Sequence, residues 1–315
     1  MNPVIYSPKR AAQLLDIDFQ TLVGRFPTKE SYPAAEMHAL RAAAGLAPSR
    51  RARTRKQLFL NFKGGTGKTT LSTSYAFRLA ERGYRVLLVD LDSQGHATKC
   101  VGIEDDAFSL TLCDVLIQKV PAREAIISTG YPGFDLIPSN LGMSAIDLSL
   151  MPLPGREFRM RNALRTVEAD YDFIVLDAPP SFGLLNLNAL MTTDDLIIPV
   201  LGDFLSFHGL KLLFDTLQDL QTDLQLALGG VFIVINSFNA SFKLAKEAAA
   251  ALQEHYGDYL CQAVIRQSTQ FAQASSEGLP ISLVAPDSKG ALDLEALIDE
   301  LLTKIADAPA SSAMS

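Results

Sequence analysis

The sequence predicts an α/β protein built on a doubly wound, mostly parallel sheet, with a small helical segment in front of it. Three observations point there. From Leu58 onward, short apolar runs (LFLNF, RVLLVD, FDLIPS, FIVLDAPP, LIIPV and VFIVIN) alternate with amphipathic, helix-like stretches. Strands that are apolar on both faces are covered on both sides, which is the habit of parallel sheets. A glycine-rich turn joins the first run to its helix, and Asp closes the runs at 90 and 177, at the strand edge where parallel sheets gather ligand groups.

Composition narrows the class. The chain has 315 residues, with 28 Lys and Arg against 35 Asp and Glu, and a net charge of -7 excludes a wholly basic nucleic-acid binder. The charge is uneven: residues 1–60 hold ten Lys/Arg and four Asp/Glu, so the remainder carries -13. With 48% hydrophobic residues the chain can bury a sizeable core. Cys100, Cys113 and Cys261 form no CxxC pair, which excludes a disulfide framework or zinc site and fits a reducing cytoplasm. MNPVIYSPKRAAQLL lacks the apolar core of a signal peptide. No uncharged apolar run reaches the roughly 20 residues of a membrane span, so a soluble cytoplasmic protein is expected.

Taken in order, residues 1–47 read as short helices. SPKRAAQLLD starts with a Ser cap and puts Ala11, Leu14 and Leu15 on one face, and DFQTLVGRF follows at once. Residues 48–56, with the run RRARTRK, read as a basic linker. Residues 57–307 form the α/β domain, and 308–315 a flexible tail.

The strand LFLNF runs into KGGTGKTT, residues 63–70, and then into the helix STSYAFRLAERG. Strand, loop and helix in this order make a phosphate-binding loop. Gly64, Gly65 and Gly67, with Thr66 between them, let the backbone amides curl toward phosphate oxygens at a helix N-terminus. Lys68 is expected to contact the β and γ phosphates, Thr69 to ligate Mg²⁺ and Thr70 to hold the α phosphate. Asp177, at a strand tip after four apolar residues, is expected to hold Mg²⁺ through water. Asn236 is a candidate adenine contact through its amide, or a turn former.

The loop departs from the common pattern. Position 62 is Phe where that pattern has Gly, and Lys63 opens the loop. KGGTGKTT therefore resembles the deviant Walker A motif of the ParA/MinD group of P-loop ATPases, and the likeness extends over most of residues 57–285. RVLLVDLDSQGHAT resembles that family's second strand, FIVLDAPPSFGLLNLNAL its Walker B segment, and LIIPVLGDFLSFHGLKLL its IIPV stretch.

The resemblance implies a slow ATPase, ATP to ADP and phosphate, that uses ATP and Mg²⁺. It implies a homodimer with two nucleotides sandwiched and Lys63 reaching the partner's nucleotide. Asp92 would orient or activate the attacking water, and Asp90 would support Mg²⁺ and the switch segment. ParA-like relatives bind DNA nonspecifically in the ATP state, which makes them nucleoid-associated, and a ParB-like or cargo-adaptor protein stimulates hydrolysis. They thereby position or segregate a plasmid, chromosome or protein cargo. MinD-like relatives bind membrane through a C-terminal helix, but here DLEALIDELLTKIADA is acidic, the wrong sign for anionic lipid. The cysteine spacing does not match the nitrogenase iron protein, and DLDSQG with DAPP fits ParA better than the superfamily's small-molecule ligases and kinases.

DNA contacts cannot be copied across. The family's two DNA-binding arginines fall on Gln267 and Gln270, and Arg266 stands one place away. Lys211, Lys243 and Lys246 are candidates for a replacement patch. YSPKRAAQLLDIDFQTL resembles the start of a MerR-like helix-turn-helix domain, and large plasmid ParA proteins carry such a domain. Lys9, Arg10, Arg50, Arg51, Arg53, Arg55 and Lys56 are then expected to neutralise DNA phosphates. An ATP-controlled transcriptional regulator or autorepressor is the alternative function.

Overall fold

The computed structural model describes residues 4–26, 29–203 and 205–307; the tail expected at 308–315 lies outside them. The strands are β1 (Ile5–Tyr6), β2 (Tyr32–Pro33), β3 (Arg55–Phe59), β4 (Val86–Asp90), β5 (Ile127–Tyr131), β6 (Phe134–Ile137), β7 (Phe173–Asp177), β8 (Asp195–Leu201) and β9 (Gly230–Asn236). The last seven form one sheet in the order β5-β6-β4-β7-β3-β8-β9. Every neighbouring pair is parallel except β5 and β6.

Strand side chains alternate between two apolar layers. Phe59, Val86, Leu88, Phe173, Val175, Ile197 and Val234 enter one layer, while Leu58, Leu87, Val89, Ile174, Leu176, Leu196 and Ile233 enter the other. This period of two on doubly covered strands is why the runs read as continuously apolar. The antiparallel edge strand β5 escaped that reading because Ser128 and Gly130 alternate with its buried residues and stay exposed.

Five helices bear on the argument: α1 (Pro8–Leu14), α2 (Phe19–Arg25), α3 (Ala34–Ala43), α4 (Lys68–Glu81) and α5 (His96–Cys100). Ser7 Oγ accepts from the Arg10 amide at 3.3 Å and Asp18 Oδ1 from the Thr21 amide at 2.9 Å, so both N-terminal helices start at side-chain caps. Their apolar faces turn to the rest of the chain. Leu15, Leu22, Tyr32 and Met37 share one layer with Tyr75, Phe77 and Tyr131.

The polar groups follow. Tyr6 Oη donates to Glu81 Oε1 at 2.7 Å and lies 3.1 Å from Tyr131 Oη. Arg41 donates to the carbonyls of Leu14 and Glu81 at 2.5 and 3.1 Å, and Arg10 stands 3.9 Å from Glu81. Two cations of the segment thus serve the buried end of α4, and Lys29 pairs with Glu36 at 2.6 Å. The expectation that Arg10 faces DNA phosphates is corrected: its guanidinium turns inward to a buried carboxylate.

Candidate nucleotide-binding site

The tips of β4, β7 and β3 are tied together by main-chain hydrogen bonds, Leu91 N to Asp177 O at 3.0 Å and Ala178 N to Phe59 O at 3.2 Å. The chain then leaves β3 through Asn61, whose amide donates to Pro199 O at 2.8 Å and whose Oδ1 accepts from Lys63 N at 2.9 Å. The loop curls back through Gly65 and Gly67, at φ of +73° and +87°, conformations that favour glycine. α4 begins at Lys68. No side chain crowds Gly64 or Gly65, whereas a Cβ on Gly67 would collide with the Asn236 amide.

The expected site residues converge at this edge. The Thr69 hydroxyl donates to Asp177 Oδ2 and the Ser72 hydroxyl to Asp177 Oδ1, both at 2.8 Å. Asp90 and Asp177 are register partners on adjacent strands and both are fully buried. Burial pushes the Asp177 carboxyl up to about 7, with neighbouring Asp90 adding to the effect and Thr69, Ser72 and Lys68 opposing it. Burial likewise lifts Asp90 to about 6 against the hydrogen bonds of Thr98 and the Asp92 amide. The buried Lys68 Nζ donates to Lys63 O at 3.1 Å, and burial lowers its pKa against the pull of Asp177 and Asp92.

Two buried carboxyls beside one buried ammonium form a site that favours an added cation. Within the loop itself, the buried Thr66 Oγ1 has no partner. These features fit a phosphate chain in the loop and a divalent cation at Thr69 and Asp177. Among the described residues no group of three or more His, Cys, Asp or Glu could hold a metal alone, in keeping with an Mg²⁺ held jointly with substrate phosphates.

Three of the expected residues hold contacts within the chain that the sequence did not announce. Asn236, at the end of β9, donates one N–H to Thr66 O at 2.8 Å and so braces the phosphate loop, while its second N–H and its Oδ1 are not used by that bond. Asp90 Oδ2 accepts both the amide and the hydroxyl of Thr98 at 2.8 Å, and Oδ1 accepts the Asp92 amide at 3.0 Å. It holds the turn after β4 and offers little to a metal. Lys63 Nζ pairs with Asp203 within its own chain at 2.7 Å. Asp92 lies beside the loop, with Oδ1 accepting from the Gln94 amide at 3.0 Å. Sequence reasoning missed Ser72, although its place one turn beyond Lys68 on the same helix face was readable. Asn61 and Asp203 carry no such signal.

The expected DNA contacts fall into two groups on opposite edges of the sheet. Arg51, Arg53 and Arg55 lie at the amino ends of the strands, away from the phosphate loop. Arg51 stacks over the Phe173 ring, 5.1 Å from its centroid. Arg53 pairs with Asp194 at 3.1 Å, and Arg55 pairs with the buried Asp195 at 2.6 Å. Lys56 reaches Glu168 at 2.9 Å. Arg55 and Lys56 are therefore neutralised structural residues and not free phosphate ligands. Lys243, Lys246 and Arg266 sit at the carboxyl edge beside β9. The lysines are exposed, Lys243 beside Glu247 at 3.4 Å, and Arg266 is held by Asp293 at 2.6 Å.

The model of the AAA domain family matches residues 54–229. Cell division protein PomZ of Myxococcus xanthus (strain DK1622) is 56% identical over 310 residues, 98% of this chain and 97% of that protein. Sporulation initiation inhibitor protein Soj of Bacillus subtilis (strain 168) is 35% identical over 231 residues, 73% of this chain and 91% of Soj. Among solved structures, cobyrinic acid a,c-diamide synthase of Mycobacterium smegmatis, with bound ATP analog and magnesium, superposes with a TM-score of 0.69. It is 28% identical, and the match covers 81% of this chain and 97% of that one. The cofactors that the loop implies, ATP and Mg²⁺, are the kind of ligands bound in that structure. The phosphate loop, the carboxylates at its side and these likenesses together place the chain in the ParA/MinD group of deviant Walker A P-loop ATPases.

Proposed function

We propose that this chain is a positioning ATPase of the ParA type that works in cell division. It dimerises around ATP, holds nonspecific DNA in that state, and is released when a partner protein on its cargo stimulates hydrolysis. The observation that carries this reading is the likeness to a cell division protein over nearly the whole of both chains, N-terminal segment included. The inward-turned cations of that segment speak against a promoter-reading module.

The geometry supports the following roles. The loop amides and Lys68 would bind the phosphates, and Thr69 with Asp177 would hold Mg²⁺, which would supply charge neutralisation to the phosphoryl group. Asp92, at the rim of the loop, orients water. Lys63 must leave Asp203 to cross to the partner's nucleotide, so its intrachain ion pair belongs to the resting monomer. Hydrolysis here rests on position and electrostatics, with no covalent step on the protein.

The test is the oligomeric state by size-exclusion chromatography with light scattering. Asp92→Ala with ATP is expected to be a dimer, and with ADP a monomer. A monomer in both nucleotides would contradict the reading.

A further inference from the structure

A groove of about 480 Å³ opens between the turn Asp114–Gln118 and the helix Arg159–Leu164. Val115, Leu116, Val120 and Ala122 line one side, Pro154 and Ala163 the other, and no acidic side chain lines it. Two cations stand at its edge, Lys119 and Arg159. The nearby carboxylates are engaged elsewhere: Asp114 accepts from Thr111 and Gln118, Glu157 from Arg156, and Asp170 from Arg123. Lys119 is held at a φ of +62°, a conformation that costs a lysine free energy and that persists at working sites. It directly follows a π-turn, a form concentrated at functional positions.

We infer that this groove docks an acidic, amphipathic helical segment of a partner protein, whose apolar side chains fill the groove and whose carboxylates meet Lys119 and Arg159. An apolar floor with a cationic rim, where Lys119 stands exposed and Arg159 donates its Nε to Leu116 O, complements such a helix and repels a basic one. The inference rests on the proposed partner-controlled ATPase, and the fold supplies a route from groove to nucleotide. Asn188 accepts from the Met160 amide at 3.1 Å and donates to Arg156 O at 2.6 Å. It belongs to the helix Leu184–Leu190, which follows the Asp177 loop. The start of that helix is held by Asp147 through the Leu185 amide at 2.8 Å, and Asn186 donates to Pro179 O at 3.1 Å. A partner that shifts the helix Arg159–Leu164 therefore moves the loop beyond Asp177.

The experiment uses the full chain and two labelled synthetic helical peptides with the same Leu face, one with Glu and one with Lys on the polar face. Fluorescence anisotropy without nucleotide is expected to show the Glu peptide binding about tenfold more tightly. Lys119→Glu, which leaves Arg159 as the only cation of the pair, should abolish the preference, and Ala163→Trp, which fills the groove, should abolish binding in a protein that still folds and binds ATP. Saturating Glu peptide should change turnover about fivefold. Equal binding of the two peptides, or binding that survives Ala163→Trp in a protein that still hydrolyses ATP, would overturn the docking site. An unchanged turnover rate would overturn the route to Asp177. The binding readout needs neither dimer nor DNA, so failure of the positioning reading leaves it standing.

Discussion

The hydroxyl of Thr69 donates to Asp177 Oδ2 at 2.8 Å, which ties the first turn of α4 to the tip of β7 and brings a buried carboxylate to the phosphate loop. Asp177 has Asp90 as its neighbour on β4 and is lifted to about 7 by burial, while Asp90 is lifted to about 6. Both lie above the unfolded value of about 4. The folded state therefore binds more protons than the unfolded state between about pH 4 and 7, and these groups lower stability as pH rises through that window. Calorimetry of the nucleotide-free protein at pH 5 and pH 8 should show this loss. Asp177→Asn should reduce it and raise Tm at pH 8 by roughly 2–4 °C, the response of a protein this large to about 1 kcal/mol. Parallel behaviour of the two proteins would mean that Asp177 is an ordinary carboxylate.

Lys68 is the buried cation of the loop, and its ammonium donates to a single protein carbonyl. Lys68→Ala should weaken ATP binding about a hundredfold, the scale of losing charge-assisted hydrogen bonds. Isothermal titration with ATP and Mg²⁺ checks this, and an affinity within a few-fold of the parent would remove Lys68 from the site.

Arg55 grips the fully buried Asp195 through two nitrogens at 2.6 and 2.7 Å. Burial keeps the Asp195 carboxyl above its usual range even with this guanidinium beside it. Arg55→Ala should therefore cost about 3 kcal/mol of folding stability and leave DNA affinity of the folded protein unchanged. Denaturant titration and duplex binding, run side by side, separate the two effects. A stable variant with lost DNA binding would restore Arg55 as a phosphate contact.

Tyr6 joins the N-terminal segment to the last residue of the phosphate-loop helix, Glu81. Tyr6→Phe should destabilise the protein by about 1–2 kcal/mol by depriving a buried carboxylate of a donor, with nucleotide affinity preserved. A two-step unfolding curve in the parent would instead mark the segment as an independent module.

The doubly covered strands were readable because alternate residues such as Val86 and Leu87 are equally buried on opposite faces. The phosphate loop was readable because Gly65, Gly67, Lys68 and Thr69 act within five successive positions. What remained hidden depends on contacts between distant segments. Tyr6 meets a carboxylate 75 residues away, Lys63 meets Asp203 across 140 residues, and Asn236 bonds the loop across 170. No local pattern announces these pairs. The RRARTRK run looked like a free basic patch because its acidic partners, Asp194, Asp195 and Glu168, arrive with later strands and turns.

The most direct test of the account is duplex DNA binding by Asp92→Ala, with ATP and with ADP, at two salt concentrations. Binding that requires ATP and weakens steeply with salt is the predicted result. Absence of binding in both nucleotide states, from a protein that still binds ATP, would contradict a positioning ATPase that rides on DNA.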